Sequence, residues 1–384
     1  MAPLIGVALA IASAVVVGLI TLWPGDIDLP TDTQLLRRGD LVEATTIAVE
    51  RVSCGAAAIG GPEVSPAPGG ALCRRITLTV EEGADRGTEA VIELPDISTA
   101  ANLQVGERVI LEKPAQQIPG VAYAFYDRVR EPQLLWLAAI FAILVVVLGG
   151  LRGLAALLGL VVSFSVLLLF VLPAILEGSS PLLVASVGAG AIAFLVIYLA
   201  HGFTQRTTVA LLGTLFGVAV ALGLTIVWTP LTHLVGLGSE GAFVIAALGV
   251  EIDLAGLLTA GIVIGALGAI DDIAVTQTST VWELHDTDPD LGFRDLFRAG
   301  MRVGRDHVGS IVNTLALAYA GASLPLLILL ELSESSLGRF VSTEVVATEI
   351  VRTLVGSIGL VAAMPATTWL ASWTADRTIP RPSG

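Results

Sequence analysis

Gly261 to Glu283, GIVIGALGAIDDIAVTQTSTVWE, is an apolar stretch of membrane length with two adjacent aspartates deep inside it. Steps of three and four from Asp272 collect Gly261, Gly265, Gly268, Thr276, Ser279 and Glu283 on one helical face, small or polar throughout. About 100° away lie Ile264, Leu267, Asp271, Val275, Thr278 and Trp282, a mostly apolar lateral face. Asp271 and Asp272 therefore point in different directions. A carboxylate near the bilayer middle costs roughly 2.5–3.5 kcal/mol on insertion scales, so it faces protein or water and marks a functional path or a polar lock between helices.

The composition agrees with a membrane setting: 54% of the 384 residues are hydrophobic and 14% charged. The net charge of −14 argues against nucleic acid as a partner, because phosphate binding needs positive patches. The expected partners are the lipid bilayer and an envelope protein or a second copy of the chain. Seven further apolar segments, 4–23, 133–151, 154–176, 181–200, 207–228, 307–330 and 350–373, bring the count to eight transmembrane helices. The first lacks a basic leader and an A-x-A site and reads as an uncleaved helix. Residues 241–250 are apolar but too short to span.

The reading divides the chain into an N-terminal helix (1–23), an extracytoplasmic β-rich domain (24–132) and a multi-helix domain (133–384). Short β-rich runs at 41–52, 75–80, 90–94, 108–111 and 123–129 predict a small all-β barrel of OB-like or SH3-like type, with a Pro/Gly-rich loop at 60–70. Its 10 basic and 17 acidic residues and the lack of an aromatic ladder favour docking or sensing over oligonucleotide binding.

Placing the amino terminus inside puts Arg152, Arg206, Arg294, Arg298, Arg302, Arg305, Arg377 and Arg381 in the cytoplasm. The opposite side receives Glu177, Glu240, Glu251, Asp253, Glu331, Glu334, Glu344 and Glu349. Both termini of this multi-pass plasma-membrane protein are then cytoplasmic. Cys54 and Cys73 fall in the oxidising compartment, where a disulfide closing their loop would contribute roughly 3 kcal/mol. Within the cytoplasmic loop 284–306, residues 293–305 read as an amphipathic surface helix with Arg294, Arg298, Arg302 and Arg305 toward lipid headgroups.

From Arg302 a second small, polar face runs through Asp306, Gly309, Asn313, Ala316, Ala320 and Ser323. The economical expectation packs it on the Gly261–Glu283 face, with Asp272 near Asn313 and Asp306 near Glu283; Gly261, Gly265, Gly268, Gly304 and Gly309 would let the helices approach. Pro325 and Pro365 kink the last helices. The chain carries no G-x-S-x-G elbow, no H-E-x-x-H and no phosphate-binding Gly loop. Its four histidines, at 201, 233, 285 and 307, lack metal-ligand spacing and read as interfacial. No enzyme activity, metal or cofactor is expected.

Two blocks, GALGAIDDIAVTQTSTVWEL at 265–284 and GRDHVGSIVNTLALAYAGASLPLL at 304–327, resemble the YibE/F-like family of bacterial membrane proteins. The order of parts, one helix, a small β-rich domain and a multi-helix domain, is similar as well. The resemblance points at Gly265, Gly268, Asp272, Glu283, Gly304, Arg305, Asp306, Asn313, Thr314, Tyr319 and Pro325. The family pattern has an apolar residue where this chain has Asp271, which makes Asp272 the principal carboxylate. The resemblance implies membrane location and fold and brings no biochemical activity with it. The residues themselves leave two readings: a permease or channel-like transporter using Asp272, with Thr276 and Asn313, for a cation, proton or small solute, or a non-transporting assembly or signalling protein whose β domain binds an envelope partner.

Overall fold

Each of the five β-rich runs becomes a strand: β1 (Asp40–Ser53), β2 (Leu72–Val80), β3 (Glu89–Pro95), β4 (Arg108–Lys113) and β5 (Ala124–Arg128). The computed structural model describes residues 2–25, 39–54, 72–96, 102–114, 121–247, 252–332 and 336–377. The 60–70 loop, Glu251, Glu334 and Arg381 lie outside them. The chain forms two units, Pro30–Leu144 and a helical unit of Met1–Leu29 with Val145–Gly384.

In the first unit the strands pair antiparallel in the order β3-β2-β1-β4-β5. Alternation turns Val42, Ala44, Ile76, Leu78, Val80, Val109 and Leu111 to one side, where they form the core with Ala90, Ile92, Leu103 and Tyr123. The amino-terminal part of β1 pairs with β4 and the rest with β2, and a bulge between Thr46 and Ala48 bends the strand between them. The expected barrel is corrected here: β3 and β5 remain unpaired with one another among the described residues, so the sheet is a curled half-barrel. Closure depends on shear between the two edge strands, which strand patterning does not encode. Cys54 and Cys73 stand at disulfide distance, S–S 2.11 Å, across the mouth of the β1–β2 connection.

Asp85, in the β2–β3 turn, accepts from Lys113 Nζ at 2.5 Å and from Tyr123 Oη at 2.6 Å. The hydrogen bond from Lys113, then that from Tyr123, holds its carboxyl below the usual carboxylate value. A depressed carboxylate contributes stability above its unfolded pKa, near 3.9, that disappears as pH falls through the lower folded value. Asp85→Asn is thus expected to flatten the acid limb of β-unit stability below about pH 4, read by acid-titrated limited proteolysis. An unchanged limb would remove Asp85 from the account.

The helices are α1 (Ala2–Thr21) and, after the sheet, α2 (Glu131–Val166), which begins in the first unit and ends in the helical one, a π-helical turn (Leu167–Val171), α3 (Leu172–Leu176), α4 (Pro181–His201), α5 (Gln205–Leu231), α6 (Glu240–Ala247), α7 (Leu254–Thr287), α8 (Phe293–Ala322), α9 (Leu324–Leu332), α10 (Leu337–Val341) and α11 (Glu344–Ala375). Local chemistry sets the boundaries. Thr204 accepts from Thr207 N at the start of α5, and Asp253 accepts from Gly256 N at the start of α7. Glu344, opening α11, accepts from Val235 N and Leu237 N.

Among the described residues six helices are long and apolar enough to cross a membrane, or seven if α8 and α9, bent by 62°, make one span. The longest, Glu131–Leu176, is interrupted at Gly150 (φ 57°, ψ −135°), a conformation open to glycine. A β-carbon on Gly153 would lie 2.2 Å from Val145 O, whereas eight residues of continuous helix span about 12 Å. The chain therefore reverses at Gly150, and dividing the helix there gives the eight apolar segments of the sequence reading.

One boundary expectation is corrected. Residues 293–305 are no separate surface helix but the first half of α8, which runs unbroken to Ala322. Leu296, Gly300 and Gly304, four apart, are its buried stripe, with Gly300 against Thr368 and Val281 and Gly304 against Gln277 and Met364. That stripe seats the helix on α7 and α11, while Arg294, Arg298, Arg302 and Arg305 stay exposed.

Candidate functional site

The centre of the unit is the trio α5, α7 and α11, with α4 and α8 outside it. α5 and α11 cross at glycine: a β-carbon on Gly217 would lie 3.1 Å from Gly359 O, and one on Gly213 would strike Thr367. α7 lies against both and buries Ile262, Ile270, Ile273, Ala274, Gln277 and Val281.

Asp271 and Asp272 sit on α7 about 27 Å from its start at Leu254 and about 23 Å from its end at Thr287, at mid-helix. Asp271 is half-buried and turned to α5, where the Thr214 hydroxyl is 3.3 Å from its Oδ1 and 3.1 Å from Ala210 O. Asp272 points the other way. Its side chain is 64% exposed, and its Oδ2 is 3.9 Å from His307 Nε2 on α8, an atom with no hydrogen-bond partner. His307 thus stands at the level of the aspartates instead of at an interfacial helix end. The carboxylate that resemblance favours is the open one, and the one expected on a lateral apolar face reaches into the bundle.

The expected packing of the two polar faces is also corrected. Gly261, Gly265, Gly268, Asp272, Ser279 and Glu283 are exposed on α7, and Thr276 is half-buried. On α8, Asp306, Gly309, Asn313, Thr314 and Ala320 are exposed and Tyr319 is half-buried. A β-carbon on Gly261, Gly268 or Gly309 would meet no atom within 4 Å, and one on Gly265 would meet only the Tyr319 hydroxyl, at 3.5 Å. No hydrogen bond joins Asp272 to Asn313, nor Asp306 to Glu283, among the described residues. α8 instead contacts α7 through the stripe containing Gly304, because Leu296 and the two glycines present its flattest apolar surface.

Sequence reasoning missed Gln277. It is fully buried, accepts from Thr368 Oγ1 on α11 at 2.9 Å, and lies under Gly304 of α8. Its amide nitrogen has no partner. The available signal was a lone amide on the face of the quoted stretch opposite the glycines.

One end of the unit concentrates cations and large aromatics. Arg206 pairs with Asp286 at 2.5 Å and lies over Trp282, Arg377 lies 4.1 Å from the Trp373 ring centre, and Trp369 stacks on Trp373 with Phe293 edge-on. Glu177, Asp253 and Glu344 occupy the other end. No group of three or more metal-ligating side chains occurs among the described residues.

No curated protein and no solved structure matches the chain. The YibE/F-like protein family matches residues 137–377, which takes in α7, α8 and α11 with both aspartates. That match covers more than half of the 384 residues, and the chain belongs to the YibE/F-like protein family.

Proposed function

We propose that this chain is a bacterial plasma-membrane permease, not an enzyme, in which the mid-helix carboxylates of α7 carry a cation or proton through the helical unit. The observation that carries the reading is Asp271, half-buried and facing Thr214 at the middle of an apolar 34-residue helix. A carboxylate held there costs several kcal/mol unless it is used or neutralised, and transport sites are where such residues recur. The apolar helices support the membrane setting, and the Arg and Trp collar at one end fits a cytoplasmic interface. The half-barrel is then extracytoplasmic, where the Cys54–Cys73 pair fits an oxidising compartment and the sheet is free to dock an envelope protein.

The test is gradient-driven flux of protons, sodium and potassium in proteoliposomes carrying wild type, Asp271→Asn or Asp272→Asn. Flux in the wild type that disappears in Asp271→Asn, with insertion intact, supports the reading. Asp272→Asn, at the open carboxylate, is expected to leave a slower flux. No flux of any of these ions in the wild type would reject it.

A further inference from the structure

The exposed faces of α7 and α8 do not suit contact with lipid. A β-carbon on Gly261, Gly268 or Gly309 would meet no atom within 4 Å, and Asp272 and Asn313 are exposed on the same two helices. Hydrocarbon leaves such groups without partners, whereas small residues flanking a polar side chain are what a close helix–helix contact uses.

We propose that this face is where a second copy of the chain docks, in a two-fold dimer whose axis runs along the membrane normal. The inference rests on the membrane-spanning part of the reading above and not on transport. Charge complementarity selects a second copy as the occupant. α7 and α8 run antiparallel, with Gln277 against Gly304 and Asp272 against His307. Six residues past Gln277 is Glu283, and six before Gly304 is Arg298, so the two lie at one depth. Both are exposed, and neither has an ion partner among the described residues. A two-fold axis along the normal preserves depth. It therefore brings Glu283 of each copy level with the Arg298 of the other, twice, as an isologous interface requires. The same operation covers the open side of Asp272.

The experiment uses the full chain in native membranes, with Cys54 and Cys73 left as a pair. Single cysteines replace Gly261, Gly268, Gly309 or Asn313, and Leu195→Cys on α4 and Ile226→Cys on α5 serve as exposed controls. Copper-phenanthroline oxidation should give a double-mass species at one or more of the first four positions, at least about tenfold above both controls. Glu283→Arg and Arg298→Glu, each added to the best cross-linking cysteine, should lower the yield at least about tenfold, and the two together should restore it. Controls that cross-link as strongly as the test positions would overturn the dimer, as would charge reversals that do not rescue one another. If Arg298→Glu leaves cross-linking unchanged but weakens binding to vesicles containing anionic lipid, the arginine reads headgroups and the proposal fails. Flux is not read in any of these arms, so the permease reading and the dimer stand or fall separately.

Discussion

A Gly217→Leu chain is expected not to reach the native helical packing. A β-carbon at this position would lie 2.5 Å from Ile270 Cγ2 on α7, 2.8 Å from Ala363 Cβ and 3.1 Å from Gly359 O on α11. None of these neighbours is the free end of a flexible chain: one is a β-branched methyl at full burial, one is itself a β-carbon, and one is backbone. Relief therefore requires moving α5 away from α11, which opens the α5–α7–α11 contact along its length. Overpacking costs about 1–3 kcal/mol when neighbours can adjust, and more when they cannot, against a total stability of about 5–15 kcal/mol. The measurement is size-exclusion behaviour and thermal aggregation of the full chain in mild detergent. Gly217→Ala should lower the midpoint by several degrees, whereas Gly217→Leu should give aggregated or unrecovered protein. Gly223→Leu is the control, since a β-carbon there meets nothing within 4 Å on the same helix. A Gly217→Leu chain as stable as Gly223→Leu would show that the crossing does not hold the unit together.

Helix and strand positions were legible in the sequence, because each rests on local pattern. The five strands lie within a few residues of the β-rich runs, and every apolar segment coincides with a helix. What pattern did not disclose is which side of a helix turns inward. In a soluble protein a polar face is an outer face, but in an apolar bundle the core and the lipid-facing surface are equally apolar and the distinction fades. The Gly261–Asp272–Glu283 face was read as a contact within the chain and proved to be exposed, while Gln277 on the opposite face is sealed against Thr368. The same limit hid the role of Asp271: its spacing from Asp272 says that the two diverge, not that Thr214 of α5 waits on its side. The α5–α11 crossing did have a signal, Gly213 and Gly217 four apart, but choosing its partner among several glycine-bearing helices requires the tertiary fold. The Gly150 reversal and the unbroken run of α8 show the converse. A charged Arg152 suggested the first, and amphipathic spacing suggested a break in the second that buried Gly300 and Gly304 remove.

Removing the Cys54–Cys73 pair should be the most damaging change in the half-barrel. The pair closes a separation of 19 residues between the end of β1 and the start of β2, the longest strands of the sheet. By loop-closure entropy such a link contributes about 3 kcal/mol. The open sheet has little to offset the loss: its core is one small cluster of side chains, and among the described residues each edge strand is paired on one side only. At roughly 4–8 °C per kcal/mol for a domain of this size, Cys54→Ala with Cys73→Ala should lower the unfolding midpoint of the β unit by more than about 10 °C. Temperature-ramped limited proteolysis of the full chain in detergent reads that midpoint without excising the unit. Dithiothreitol should reproduce the shift in the wild type and add nothing in the double variant, which separates loss of the link from loss of packing around Cys73, itself fully buried. A double variant that melts with the wild type would mean that the strands hold register unaided. A wild type already insensitive to dithiothreitol, and melting with the double variant, would mean that the thiols are unlinked, and the oxidising placement of the half-barrel would lose its chemical support.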